Sequence, residues 1–155
     1  MIARLVGSEM CIRDRTLAAS KSKLIPLTQE GCQLYERVGY HEFNGIVLND
    51  EEKEKLINAI GNEKHTLLMR NHGLITAGPT AAWAFIRHQH FIRNAEVQLK
   101  LMASNAEMSI ISDNILKHTR EQFEGGSAQA GAKVRHPEWP AFWRLLDTLD
   151  EKWKQ

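Results

Sequence analysis

The sequence predicts an α/β fold in which helices cover a β-sheet, and three consecutive segments support this prediction. Residues 66–78 contain two apolar runs separated by the polar step Arg70-Asn-His-Gly73, a pattern typical of two buried strands. Residues 50–60 before this step and residues 81–103 after it carry apolar residues at helical spacing. Strands that alternate with helices along a chain are typical of a sheet covered by helices.

The N-terminal segments are short. Residues 16–21 resemble the end of a helix, and residues 23–27 are predicted to be extended. Thr28 is a candidate N-cap for a helix over residues 29–38, in which apolar side chains recur at helical spacing.

An ordered loop over residues 40–45 is expected to lead through a short strand, residues 45–48, into a well-signalled helix. Asn49 is the predicted N-cap of this helix, Glu52 completes a capping box, and Gly61 is the expected stop. The acidic residues at the start of the helix, Glu52 included, are expected to be solvated. Its predicted buried face consists of Leu56, Ile57 and Ile60.

Three further helices are predicted after the strand pair. Thr80 is the predicted N-cap of the longest helix, residues 81–103. A helix over residues 113–123 is expected to end at Gly125, where a polar linker begins. The last helix, about residues 139–154, carries one apolar stripe: Trp139, Phe142, Leu146, Leu149 and Trp153.

Composition argues against several classes of partner. The formal net charge is +1 and the basic residues are dispersed, so neither nucleic acid nor a membrane surface is an expected partner. The longest apolar runs are too short to span a bilayer. Only Cys11 and Cys32 occur, which gives no disulfide framework and predicts a reducing, cytoplasmic location.

His72 is the principal candidate site residue. It follows an apolar run and precedes Gly73, whose missing Cβ lets backbone or ligand approach closely. Strand ends are where α/β proteins usually place their chemistry. On local sequence alone, a histidine hydrogen-bonded in a tight turn is the favoured interpretation.

The segment around His72 resembles the signature of the class II aldolase/adducin family, and the resemblance extends over residues 16–155. It implies an α/β/α layered domain with a largely antiparallel central sheet, of which the N-terminal part is missing here. It also implies that His72 is a ligand of a catalytic divalent metal ion, expected to be Zn²⁺. In the family, an upstream His-x-His pair supplies the other two ligands and an upstream glutamate is catalytic, and neither has a counterpart in this sequence.

The function implied by the resemblance is that of a metal-dependent class II aldolase-like lyase, of which this chain is a fragment. Such an enzyme cleaves C–C bonds of small keto sugars or keto acids through a metal-stabilised enediolate, commonly in a homotetramer. With His72 alone, the chain as written is expected to be inactive and to bind zinc weakly. The alternative is an adducin-head-like, metal-free module for oligomerisation and binding to the actin cytoskeleton.

Other candidate residues carry weaker signals. Tyr40 lies in a Tyr-His-Glu-Phe step resembling one in bacterial relatives and could donate a proton, although placement of the loop is the favoured interpretation. His88 and His90 form the only His-x-His in the sequence, but two residues apart on a helix they point in different directions, so packing or an oligomer interface is preferred. Arg70 is expected to be solvated, and for Asn71 a role in the turn and a role in the site both stay open.

The first residues resemble foreign sequence. The stretch from Leu5 to Arg15 resembles one reading frame of a transposase-type sequencing-library adapter, which translates as Gly-Ser-Glu-Met-Cys-Ile-Arg-Asp. Residues 1–15 are therefore predicted to be an artefact, and residues 16–155 the natural part of the chain.

Sequencing the source locus across the Thr16 codon in genomic DNA tests this prediction. We expect the reading frame to continue upstream of Thr16 into a His-x-His pair and a glutamate, since the resemblance implies both. A genome that begins with the codons of Met1-Ile-Ala-Arg4 would contradict the adapter origin and would favour a metal-free binding or scaffold module.

Overall fold

The computed structural model describes residues 5–9, 12–46, 50–129 and 138–149. Within these ranges the chain forms four strands, five α-helices and one 3-10 helix. The strands are β1 (Leu5–Glu9), β2 (Val38–His41), β3 (Thr66–Met69) and β4 (Gly73–Gly78). The helices are α1 (Ile12–Ala19), the 3-10 helix (Glu30–Leu34), α2 (Asp50–Ile60), α3 (Ala81–Ser104), α4 (Asp113–Gln129) and α5 (Trp139–Leu149).

The four strands form one sheet in the order β1-β4-β3-β2. The β1–β4 and β4–β3 pairs are antiparallel, and the β3–β2 pair is parallel. Helix α2 packs against β2 and β3 on one face, whereas α1 and α3 pack against the other face. The predicted α/β/α arrangement with a largely antiparallel sheet is confirmed.

The hydrophobic core lies between the sheet and the α1–α3 layer. Strand alternation directs every second side chain of β3 and β4 into it, which buries Leu68 and Leu74 against Phe91 of α3 and Leu17 of α1. Among the helices in the described ranges, none is long and apolar enough to cross a membrane.

A buried amide on α3 holds the chain that leads from α1 to the 3-10 helix. The Asn94 side chain is fully buried, and its Oδ1 accepts hydrogen bonds from the backbone N–H groups of Leu27 (2.8 Å) and Thr28 (3.2 Å). Its Nδ2 donates to the carbonyl of Ile25 at 2.8 Å. Asn94 therefore supplies hydrogen-bond partners to backbone groups that pair with none of the strands in the described part of the chain.

Gln98 continues this interaction one helical turn further along α3. Its Oε1 accepts from the N–H of Ile25 at 2.8 Å, and its Nε2 donates to the carbonyl of Lys23 at 2.9 Å. The two side-chain amides lie four residues apart, so they are on the same side of α3. The extended segment 23–28 runs along this side of the helix and forms hydrogen bonds with both amides. A Cβ at Gly31 would lie 2.1 Å from Asn94 Oδ1, so only glycine fits where the segment enters the 3-10 helix.

The predicted helix signals at two positions are confirmed. Thr80 Oγ1 accepts from the N–H of Trp83 at 3.4 Å and caps α3. Gly61 has a φ of +58° and ends α2, where its N–H donates to the carbonyl of Ile57 at 2.9 Å. The predicted N-cap Asn49 lies outside the described residues.

Several predicted boundaries are wrong. The helix predicted over residues 29–38 is only the 3-10 helix, because Val38 pairs with Thr66 and begins β2. Gly125 does not end a helix, since α4 continues through it to Gln129 and a helical glycine costs only about 1 kcal/mol.

Other differences concern exposure and loop structure. Ile57, predicted to be buried, is 65% exposed because α2 turns a different edge toward the sheet. Gly45 and Ile46 form a bend rather than the start of a strand, and residues 47 and 48 lie outside the described ranges. Helix α1 begins at Ile12, inside the stretch assigned to the adapter, so the foreign origin of residues 1–15 stays a prediction.

Replacing Asn94 tests the importance of the buried amide. Asn94→Ala leaves two partly buried N–H donors and one carbonyl without their partner, so we expect the free energy of unfolding to fall by about 2–4 kcal/mol. Urea denaturation measures this change. The matched control Asn58→Ala, on the exposed side of α2, should change the same quantity by less than about 0.5 kcal/mol. Equal effects of the two substitutions would contradict the assigned role of Asn94.

Candidate functional site

His72 lies in the tight turn between β3 and β4, and its side chain is exposed. Its N–H donates to the carbonyl of Met69 at 3.2 Å, which closes the turn. Asn71 adopts a φ of +57°, a conformation that asparagine tolerates, and its N–H donates to the carbonyl of Ala18 at 3.1 Å. The turn that presents the histidine is thus fixed to the end of α1.

Beside this turn lies a cavity of about 350 Å³, a size at the lower end for small-molecule sites. The loop that follows β2 forms one wall, and α2 and the β3–β4 pair form the others. Polar and apolar side chains both contribute to its lining, which includes His41, Phe43, Glu52, Leu56, Met69, Arg70, His72 and Ile75.

Arg70 is not the solvated side chain that the sequence suggests. Its Nη1 donates to the carbonyls of Ser20 and Ser22, at 2.9 Å each. The guanidinium also lies 5.3 Å from the ring centroid of Tyr40, within range of a cation–π contact. Arg70 therefore connects the turn to the chain that follows α1.

Tyr40 lies in β2 rather than in a loop. Its hydroxyl accepts a hydrogen bond from the N–H of Leu24 at 3.0 Å, and its ring packs against the core. Burial raises the pKa of Tyr40, against the opposing effects of the Leu24 hydrogen bond and the Arg70 charge, so the phenol is held neutral. A structural role is therefore established, and proton donation to a ligand stays a prediction.

His41 of β2 and Glu52 of α2 lie next to each other in the lining of the cavity. His41 Nε2 lies 3.7 Å from Glu52 Oε2, and both side chains are only 14% exposed. Glu52 Oε1 accepts from Lys55 Nζ at 3.0 Å. Glu52 is therefore not the solvated residue that its place at a helix start predicts, and no local pattern indicates its contact with His41.

A glycine in β2 is the feature of the sequence that indicates the close packing of α2 against this strand. A Cβ at Gly39 would lie 2.5 Å from the carbonyl oxygen of Ala59, so α2 approaches β2 more closely than any larger residue would allow. A glycine inside a strand often marks such an approach. The approach buries one edge of α2, and Glu52 lies on that edge.

The His88 and His90 pair lies elsewhere, within the packing of α3. Both side chains are buried, and His90 Nε2 lies 3.3 Å from the carboxylate of Glu138. Helix α5 docks nearby through edge-to-face contacts of Trp139 and Phe142 with Phe85. Across the described ranges, no group of three or more His, Cys, Asp or Glu residues could hold a metal ion.

Comparison with known proteins places this geometry in a family. The family profile "Class II Aldolase and Adducin N-terminal domain" matches residues 13–99. The chain is 30% identical over 139 residues to a "Putative aldolase class 2 protein" of Pseudomonas aeruginosa, covering 90% of this chain and 53% of that protein. It is 28% identical over 141 residues to alpha-adducin of Rattus norvegicus, covering 86% of this chain and 19% of that protein.

Solved structures agree with the sequence comparisons. An aldolase II superfamily protein from Pseudomonas syringae superimposes with a TM-score of 0.74 at 25% identity, covering 91% of this chain and 53% of that one. L-fuculose 1-phosphate aldolase from Glaciozyma antarctica has a TM-score of 0.65 at 19% identity, covering 76% and 43%, and shows a likeness of fold alone. The chain spans about half the length of the bacterial relatives that it matches.

Tyr40→Phe tests the anchoring of the site and its dependence on pH. Losing the acceptor for Leu24 should lower the free energy of unfolding by about 1 kcal/mol at neutral pH. Because the pKa of Tyr40 is raised in the folded state, the unfolded chain ionises first above the ordinary tyrosine value of about 10. The stability of the unsubstituted protein then falls, and the cost of Tyr40→Phe should shrink as the pH rises through the folded-state pKa.

Urea denaturation of both proteins at neutral pH and above pH ~10 measures the two costs. An unchanged difference between them would show that the phenol of Tyr40 ionises as freely in the folded state as in the unfolded chain.

Proposed function

The chain belongs to the class II aldolase and adducin family, and from this premise we propose that it is part of a metal-dependent lyase. The proposed reaction is the cleavage of a C–C bond in a small keto sugar or keto acid. The observation that supports this proposal best is the exposed His72, presented by a rigid turn at the edge of a cavity of about 350 Å³.

His72 is proposed to supply one ligand to a divalent metal ion, proposed to be Zn²⁺. A catalytic zinc needs about three protein ligands and an open position. The described residues contain no such set, so they do not fit a complete metal site by themselves. The remaining ligands are proposed to come from an upstream His-x-His pair of the whole protein. The part played by this chain is to place His72 and to form the wall of the cavity.

The turn is suited to hold a metal-binding side chain in a fixed position. Asn71 binds the end of α1, and Arg70 binds two carbonyls beyond it. A site is pre-organised when its supporting residues are themselves held by packing and hydrogen bonds. For the whole protein we propose a homotetramer located in the cytoplasm, with a small carbonyl compound as the ligand.

A second candidate function is a metal-free module for oligomerisation and actin binding. It is favoured by the likeness to alpha-adducin over 86% of this chain and by the lack of a three-ligand group among the described residues. Metal binding separates the two functions, since the adducin-like proposal gives His72 no metal to hold. Co-sedimentation with actin filaments tests the second proposal directly.

Calorimetric titration of the full 155-residue chain with Zn²⁺ tests the role of His72. A complete zinc site is worth about 10–16 kcal/mol, and a single imidazole contributes far less. We therefore expect a dissociation constant weaker than about 1 μM, with binding lost in His72→Ala and kept in the control His118→Ala, whose side chain is exposed on α4.

Two results would contradict this proposal. Stoichiometric, submicromolar binding would show that the chain holds a complete metal site, and unchanged binding in His72→Ala would remove the histidine from it. In the whole protein, His72→Ala should abolish metal-dependent lyase activity while the fold, followed by circular dichroism, is retained.

A further inference from the structure

Strand alternation divides β2 between the two faces of the sheet. Tyr40 is the register partner of Leu68, and both pack into the core on the α1–α3 side. The next pair, His41 and Met69, must therefore point to the opposite face, and both line the cavity. The carbonyl of His41 accepts from the N–H of Arg70 at 2.8 Å, so the backbone that carries its imidazole is fixed.

Glu52 reaches the same cavity from α2. The close approach of α2 to β2 at Gly39 leaves the Glu52 side chain 14% exposed, although it lies in the first turn of a helix. Its neighbours Glu51 and Glu54 are exposed. A carboxylate loses hydration on burial, so contacts with Lys55 and His41 replace part of its water shell.

The cavity is lined by both polar and apolar side chains. His72 lies on the β3–β4 turn, and the His41–Glu52 pair lies between β2 and α2. Apolar side chains such as Leu56 and Ile75 also line the cavity. A mostly apolar pocket with a few convergent polar groups is the usual design of a small-molecule site, in which those groups fix the orientation of the ligand.

We propose that His41, oriented by Glu52, binds a hydroxyl group of the ligand whose carbonyl end lies at His72. The ligand class is a small hydroxylated carbonyl compound, and this part of the inference rests on the proposed function. Because the Glu52 carboxylate lies 3.7 Å from His41 Nε2, it favours the ring orientation that keeps Nε2 toward α2 and leaves Nδ1 for the ligand. His41 thereby distinguishes hydroxylated from deoxygenated carbonyl compounds.

The test uses the full chain and two probes, hydroxyacetone and acetone, which differ by one hydroxyl group. Histidine ring signals in ¹H–¹³C NMR spectra report binding at each imidazole. We expect hydroxyacetone to shift the signals of His41 and His72 with one common dissociation constant, and to leave His118 unchanged. Acetone should bind about tenfold more weakly, the usual value of one hydrogen bond.

Substitutions then test whether the preference between the two probes comes from His41 and Glu52. His41→Ala should bind both probes equally, while His118→Ala should keep the tenfold preference of about one hydrogen bond. Glu52→Gln should reduce the preference, and Glu54→Gln, which removes a neighbouring exposed charge from α2, should not. The unsubstituted protein suffices for the first comparison, so the inference remains testable if His41→Ala fails to fold.

Equal binding of the two probes, no shift at His41, or no binding of hydroxyacetone would overturn the inference. Zinc titration separates its failure from that of the proposed function. If His72 does not bind Zn²⁺ while His41 still discriminates the probes, only the lyase proposal fails. If His72 binds Zn²⁺ and His41 ignores the hydroxyl, only the hydroxyl-binding role fails.

Discussion

The hydrogen bonds from Asn94 and Gln98 to the segment 23–28 are the interaction on which the rest of the structure depends. Within the described ranges no strand pairs with this segment, and without the two buried amides its partly buried backbone groups would each lose a hydrogen bond, at a cost of about 0.5–1.5 kcal/mol. Once held, the segment offers the Leu24 N–H to Tyr40 and so positions β2 against the core. The long helix therefore acts on the sheet through polar contacts as well as through its apolar side.

One face of the sheet contributes to stability, and the other carries the candidate site. The face toward α1 and α3 carries the apolar core, whereas the face toward α2 carries His41 and the cavity. The same strand supplies both, because Tyr40 and His41 are adjacent residues that point in opposite directions. A shift of β2 by one residue would exchange these side chains between the faces, so the register with β3 decides whether a site exists at all.

Structural features that depend on residues close together in the sequence could be predicted from it. The strand pair at residues 66–78, the cap at Thr80 and the stop at Gly61 are of this kind. The resemblance to a family added the fold, whereas the metal-binding role that it implies for His72 stays a prediction. Features that depend on contacts between distant residues could not. Val38 joins a strand because of its pairing with Thr66, and Glu52 is buried because Gly39 admits α2. Asn94, Gln98 and Arg70 find their partners more than 45 residues away, so local pattern describes them only as polar.

The histidine turn is held by contacts with the N-terminal part of the chain. The turn is tied to three acceptors, the carbonyls of Ala18, Ser20 and Ser22. All three follow residue 15, but the turn also depends on residues before it. Ala18 lies in α1, which begins at Ile12, and β4, which begins directly after His72, pairs with β1. A chain with other residues in place of the first fifteen would therefore need another start for α1 and another strand beside β4 to hold His72 in the same way.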